Sequence, residues 1–329
     1  MSYLTSFRAF GAAAALAVTV SAPAMAQELR LAHWVPPAHT LTASTIEPLQ
    51  AAASAAGLNI RVYPGGELGA GPLEQYVRVL QGVADIVWGL QGYNSSQFQR
   101  TMISELPGVL AEGQSGYDAI WRAYDAGLLN GEFPGTVPLA LWTSEPNVLI
   151  MRGRNVRLPG DLAGLKIRVS GSVAGSIVEA LGATPVQMPA GEIYNALQTG
   201  LIDGLITGAS AIGDFRLDEV ADSYTIGMPL GHISFYLVMN EGAYNGLSAE
   251  HRAAIDSVAG RTLSASAEAG WNARATQVIE QITAAGDNTI INLTDEEIAA
   301  WAAITLPVRD QVVATIDGGA AVLAAMQGN

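Results

Sequence analysis

The residues of this sequence that could do chemistry are few, and they suit holding a molecule better than transforming one. There is no cysteine and no G-x-S-x-G elbow, so the common hydrolase nucleophiles lack their setting. His33, His39, His232 and His251 form no metalloprotease helix pair, and the first two lie beside Pro36-Pro37, in a loop. We expect no metal and no cofactor. Gly65, Gly66, Gly69 and Gly71 resemble a phosphate loop in composition, but the Lys-Ser/Thr pair such a loop needs is missing. They read as a turn entering a helix. Scattered Asp and Glu residues keep an exported two-lobed enzyme open as an alternative, without positive support.

Charge narrows the choice further. Lysine and arginine total 16 against 30 acids, for a net charge of −14. The basic footprint of a nucleic-acid binder is absent. An acidic surface also repels anions at long range. An anionic ligand must then be gripped by specific buried cations, and because Lys166 is the only lysine, that task falls to arginine.

The elements that would position such residues come in two sets. Residues 1–26 read as an export signal, with Arg8, an apolar run over 9–20 and Ala24-Met25-Ala26 before a mature start at Gln27. The run is shorter than the ~20 residues that span a bilayer, so the mature chain is expected in the periplasm. Strands at 28–35, 58–63 and 84–90 alternate with helices at 41–56 and 72–81. The pattern restarts with strands at 165–170, 184–188 and 204–207 and helices at 173–181 and 192–199. This alternation implies βαβ units and largely parallel sheets. Strands at 137–143 and 147–152 read as crossing from one unit to the other, and 235–240 as returning. The fold class is therefore α/β, in two lobes with a cleft between them. Lobe I takes 27–147 and is completed by about 230–258. Lobe II takes 148–229 and is completed by about 259–329, with the last helix free to return to lobe I. The stretch 248–286 is helical in composition and about 55 Å long if continuous, a spine along both lobes with a break allowed near Gly260 or Gly270. Thr294 and Glu297 form a capping box, and a last amphipathic helix is expected after Pro307.

From Asp161 to Gly204 the chain carries D-L-A-G-L-K-I-R-V, then L-G-A-T-P-V, then E-I-Y-N-A-L-Q-T-G-L-I-D-G. With L-R-L-A-H-W, G-G-E-L-G and G-V-A-D-I nearer the N-terminus, these motifs cover nearly the whole mature chain. They resemble the extracytoplasmic solute-binding proteins of tripartite ATP-independent periplasmic (TRAP) transporters, the DctP-like family. The resemblance implies a periplasmic binding protein fold whose lobes close on a ligand, with a long helix spanning both. It implies a monomer that delivers a small organic acid to one small and one large membrane subunit. A sensor component that presents its ligand to a receptor uses the same trap and is a second alternative.

Arg168 matches the family arginine that pairs with a ligand carboxylate, for which guanidinium offers a planar, two-pronged donor. Thr207 stands where many members carry Asn, and Val148 where some carry a second Arg. Arg152, Arg154 and Arg157 have the spacing of a solvated loop, and Glu192 and Tyr194 read as scaffold. Trp34, Trp88 and Trp142 close or follow predicted strands, at the ends where α/β sheets bind ligands. Tyr93, Phe235, Tyr236 and His232 are further candidates for the cleft. Trp121, Trp271 and Trp301 fall on predicted helices and are expected to be structural. One arginine with aromatic walls points to a monoanion with an aromatic or cationic remainder.

Overall fold

The computed structural model describes residues 28–69 and 71–328; the export signal read at 1–26 lies outside them. Eleven strands are present among these residues: β1 (Glu28–Ala32), β2 (Asn59–Tyr63), β3 (Ile86–Leu90), β4 (Thr136–Thr143), β5 (Asn147–Met151), β6 (Lys166–Val169), β7 (Thr184–Gln187), β8 (Gly204–Gly208), β9 (Ser223–Ile226), β10 (Ser234–Asn240) and β11 (Thr289–Asn292). They form two sheets, ordered β2-β1-β3-β10-β4 and β11-β9-β5-β8-β6-β7. In the first, β1 pairs in parallel with β2 and β3, whereas β10 runs antiparallel to β3 and β4. In the second, β6 pairs in parallel with β7 and β8, and β5 runs antiparallel to β8 and β9. Central β3 is buried along its length, as its continuous apolar run requires.

Besides the long helical run from β10 to β11, two short strand connections cross between the sheets, from β4 to β5 through 144–146 and from β9 to β10 through 227–233. They lie side by side, with Ser144 N donating to Ile233 O at 2.7 Å and Asn147 N to Gly231 O at 2.9 Å. Gly231 is obligatory there: its φ is +69°, and a Cβ would sit 1.8 Å from the Glu105 carbonyl oxygen.

Helices α1 (Glu47–Ala55), α2 (Gln75–Leu80) and α3 (Gly116–Asp125) pack on the first sheet; α4 (Ser172–Ala180), α5 (Ile193–Thr199) and α6 (Ser210–Asp214) belong to the second. Helices α7 (Glu241–Asn245) and α8 (Ala249–Asp256) lead to α9 (Arg261–Ala285), followed by α10 (Asp295–Thr315) and α11 (Gly319–Gln327). The long α9 touches β4 and α3 on one side and α6 on the other, so it spans both lobes. Its 25 residues give about 37 Å, less than the 55 Å expected of an unbroken segment. The break falls at Gly260, whose φ is +75°. At Gly270 the helix runs on, because the missing Cβ lets it pass Ser44, whose own Cβ would otherwise be 2.3 Å away.

Thr294 and Glu297 form the expected capping box at the start of α10. Pro307 corrects a reading, since it lies inside α10 and not before a final helix. Its neighbours Thr305 and Val308 are buried on the packed face, and that packing carries the helix through a residue that costs one backbone bond. The chain breaks instead at left-handed Gly318. Strands β9 and β11 had no reading in the sequence: four residues carry too little alternation.

Candidate functional site

Arg168 stands at the end of β6 and is 1% exposed, the one arginine among the described residues in the fully buried class. Its Nε and Nη2 donate to the Met188 carbonyl oxygen at 3.0 and 2.9 Å. The Tyr93 hydroxyl also faces the guanidinium and accepts the Ala190 N–H at 2.8 Å. Burial pulls the guanidinium pKa below its ordinary value, while Tyr93 pushes it back up. Burial raises the Tyr93 pKa, which keeps it a neutral phenol. No carboxylate among the described residues forms an ion pair with Arg168. A buried cation held only by neutral oxygens is an unbalanced charge.

Arg168 lines a narrow cavity of about 40 Å³ between the lobes. Aromatic rings form much of the wall. Trp34 stacks on Trp88 with centroids 5.3 Å apart and on Phe215 at 6.1 Å, and Trp88 stacks on Phe235 at 5.7 Å. Trp271, from α9, closes the group at 5.2 Å from Phe235. Because Phe215 belongs to the second lobe and Trp34 to the first, the wall is assembled from both. Thr207, Ser144 and Ser210 add the polar edge. Val148 pairs directly with Thr207 across β5 and β8 and is buried among aliphatic side chains, so the position of a second arginine is apolar here.

His39 also lines the cavity. Its Nδ1 accepts the Leu41 N–H at 3.0 Å and its Nε2 faces Asp214 at 3.5 Å. Burial lowers its pKa to about 4, with Asp214 raising it and Arg274 lowering it. It is therefore neutral at pH 7, leaving Arg168 as the cation of the wall. Asp214 in turn accepts the Thr40 N–H at 3.3 Å and pairs with Arg274 at 3.0 Å.

Other expected residues are placed differently. Trp142 pairs with Phe235 across β4 and β10 but lies behind it, covered by Trp271 at 5.4 Å, and is not in the cavity wall. The missed Trp271 takes that place; a tryptophan midway along a helix that crosses both lobes has to pass the cleft. Tyr93 is not a wall residue but reaches Arg168 from the side. Strand alternation turns Tyr236 to the opposite face of its sheet, onto Tyr76 and Phe98. His232 faces a separate pocket of about 430 Å³ at the crossing, with Glu145 and Glu268, and its Nδ1 lies 3.0 Å from the Ser144 carbonyl oxygen. Arg157 pairs with Glu297 at the surface, and Tyr194 with Glu219. A wider groove of about 670 Å³ runs between 95–102, α4 and α10, but Glu179 is its one charged lining residue, so it has nothing to grip an anion.

Residues 31–315 match the family model DctP, bacterial extracellular solute-binding protein, family 7. The C4-dicarboxylate-binding periplasmic protein DctP of Rhodobacter capsulatus is 28% identical over 327 residues, which is 96% of this chain and 95% of that protein. A TRAP solute-binding protein from Rhodoferax ferrireducens T118, solved with copurified benzoate, superposes with a TM-score of 0.83 at 26% identity, covering 92% of this chain and 96% of that one. A marine metagenome TRAP solute-binding protein specific for aromatic acids, solved with metahydroxyphenylacetate, gives 0.83 at 25% identity, with 92% and 98% covered. The chain therefore belongs to the DctP family, family 7 of the bacterial extracellular solute-binding proteins, as a periplasmic TRAP component that binds a small organic acid and is not an enzyme.

Proposed function

We propose that this protein captures an aromatic monocarboxylate and, as a monomer, hands it to the small and large membrane subunits of its transporter. The observation that carries this reading is Arg168: a buried cation without a counter-ion, inside a wall of Trp34, Trp88, Phe215, Phe235 and Trp271. A carboxylate supplies the missing charge through a two-pronged contact, and an aromatic body covers the rings by offset or edge contacts. Lobe I is taken as 27–147 completed by about 230–258, and lobe II as 148–229 completed by about 259–329, with the last helix returning to lobe I.

The relatives divide on this point, one named for C4-dicarboxylates and two solved with aromatic acids. A dicarboxylate needs a second cation, and the wall offers neutral His39 and apolar Val148 instead. This favours a monoanion. Calorimetry with benzoate, 3-hydroxybenzoate, succinate and malate tests it. We expect one-to-one binding of the aromatic acids at least 100-fold tighter than the dicarboxylates, equivalent to about 2.7 kcal/mol. Tighter binding of succinate or malate would refute the aromatic reading.

A further inference from the structure

We infer that segment 91–95 of the first lobe is a latch that seats Arg168 as the lobes shut, with Tyr93 and Gly171 as its positioning residues. The inference rests on the reading of Arg168 as the carboxylate clamp. The segment leaves the end of β3 as a tight turn, Gln91–Asn94, and reaches the second lobe at three points. Gly92 lies directly against the backbone of Ser170 and Gly171. The Tyr93 hydroxyl takes the Ala190 N–H and faces the guanidinium. Ser95 Oγ accepts the Ser172 N–H at 3.2 Å.

All of the second-lobe partners belong to the frame of Arg168. Residues 170–172 continue β6 beyond it, and Ala190 follows Met188, whose carbonyl oxygen holds two of its nitrogens. The guanidinium is thus fixed from its own lobe by Met188 and from the other lobe by Tyr93. Shutting the lobes and aligning the clamp are one event.

Gly171 shows that the contact belongs to the shut form. Its backbone is extended, with φ −166° and ψ −174°, a conformation any residue adopts. The three atoms nearest to a Cβ at this position all belong to the other lobe. A Cβ there would meet Gly92 Cα at 2.6 Å and Gly92 O at 2.8 Å, and both atoms are backbone of the opposite lobe. Parting the lobes relieves the clash. Gly171→Ala should therefore fold normally and fail to shut.

The test combines stopped-flow binding with hydrogen exchange at the Ala190 and Ser172 amides. The probe is benzoate, or succinate if succinate binds more tightly, so the ligand reading can fail while the latch is still tested. In the wild-type protein the probe should slow exchange at both amides by at least tenfold. Gly171→Ala should keep its ligand-free melting temperature and associate within twofold of the wild-type rate. It should release the probe at least tenfold faster, with both amides unprotected. Tyr93→Phe should leave Ala190 unprotected and Ser172 protected, a split that general destabilisation would not produce. Wild-type release and wild-type protection in Gly171→Ala would overturn the latch. Probe affinity that survives Arg168→Ala would instead overturn the clamp.

Discussion

Two buried charges lie on either side of the strand crossing and meet different fates. Ser144 lines both the ligand cavity and the pocket at the crossing. On the cavity side Arg168 has only neutral partners. On the other side Glu145 accepts the Ser210 N–H at 2.7 Å through one oxygen, while its second oxygen is buried without a partner. Desolvation penalises both, but a carboxyl escapes by binding a proton, and burial raises the Glu145 pKa to about 7. Guanidinium has no such escape near neutral pH. Of two similarly buried groups, the one that cannot neutralise itself is the one that needs a ligand. Chemistry therefore assigns binding to the cavity and proton-dependent stability to the crossing.

Removing the cation should have the strongest consequence. Arg168→Ala should weaken binding of the preferred acid by 10²–10³-fold, about 3–4 kcal/mol. Arg168→Met, which fills the same space without charge, should leave the ligand-free protein as stable or up to ~2 kcal/mol more stable. Calorimetry and urea melts give the two numbers. Loss of ligand-free stability in Arg168→Met would mean that the guanidinium is already balanced, and the contrast with Glu145 would collapse.

Glu145 makes stability depend on pH. Its folded pKa, about 7, lies above the ordinary 4.5, so the folded form holds the proton more tightly. Its contribution is full below pH 4.5 and is lost as pH rises through 7. Such a shift corresponds to about 3 kcal/mol at most. Glu105, raised to about 7 and bonded to Ser234, adds a slope of the same sign. His33 and His39, both lowered to about 4 by burial, act oppositely, and their contribution is lost as pH falls from 6.5 through 4. The difference between proteins isolates Glu145. Between pH 5 and 8 the wild-type protein should lose roughly 2 kcal/mol more than Glu145→Gln in urea melts. Parallel profiles would show that the carboxyl is not protonated.

The place of Arg168 in the cavity was legible in the sequence, and the aromatic wall only partly. Arg168 was legible through the resemblance, as the motif arginine that pairs with a carboxylate, whereas the acidic composition asks only that some arginine serve. The two lobes, the crossing strands and the spanning helix followed from alternation and composition. What failed has a common cause: side-chain neighbours set by tertiary packing leave no local period. Phe215, on the short turn after α6, and Trp271, inside α9, reach the cavity only because separate elements converge there. Trp88 lies in the middle of β3, not at its end, and still reaches the cavity, whereas Trp142, next to last in β4, has Phe235 and Trp271 in front of it. His232 is close to the cavity in sequence but faces the far side of the crossing.

The smallest expected effect sharpens the aromatic side of the cavity. Trp34 is half-buried and touches rings of both lobes, Trp88 in the first and Phe215 in the second. Ring contacts of this kind contribute ~0.5–1.5 kcal/mol beyond the area they bury. Trp34→Leu keeps an apolar surface and removes the ring. Benzoate affinity should fall by about threefold to tenfold, while succinate, which has no ring, should change by less than twofold. The ratio of the two separates stacking on the ligand from a general loosening of the cleft, which would weaken both acids alike. Equal losses would place Trp34 in lobe packing, leaving Arg168 to select for charge alone.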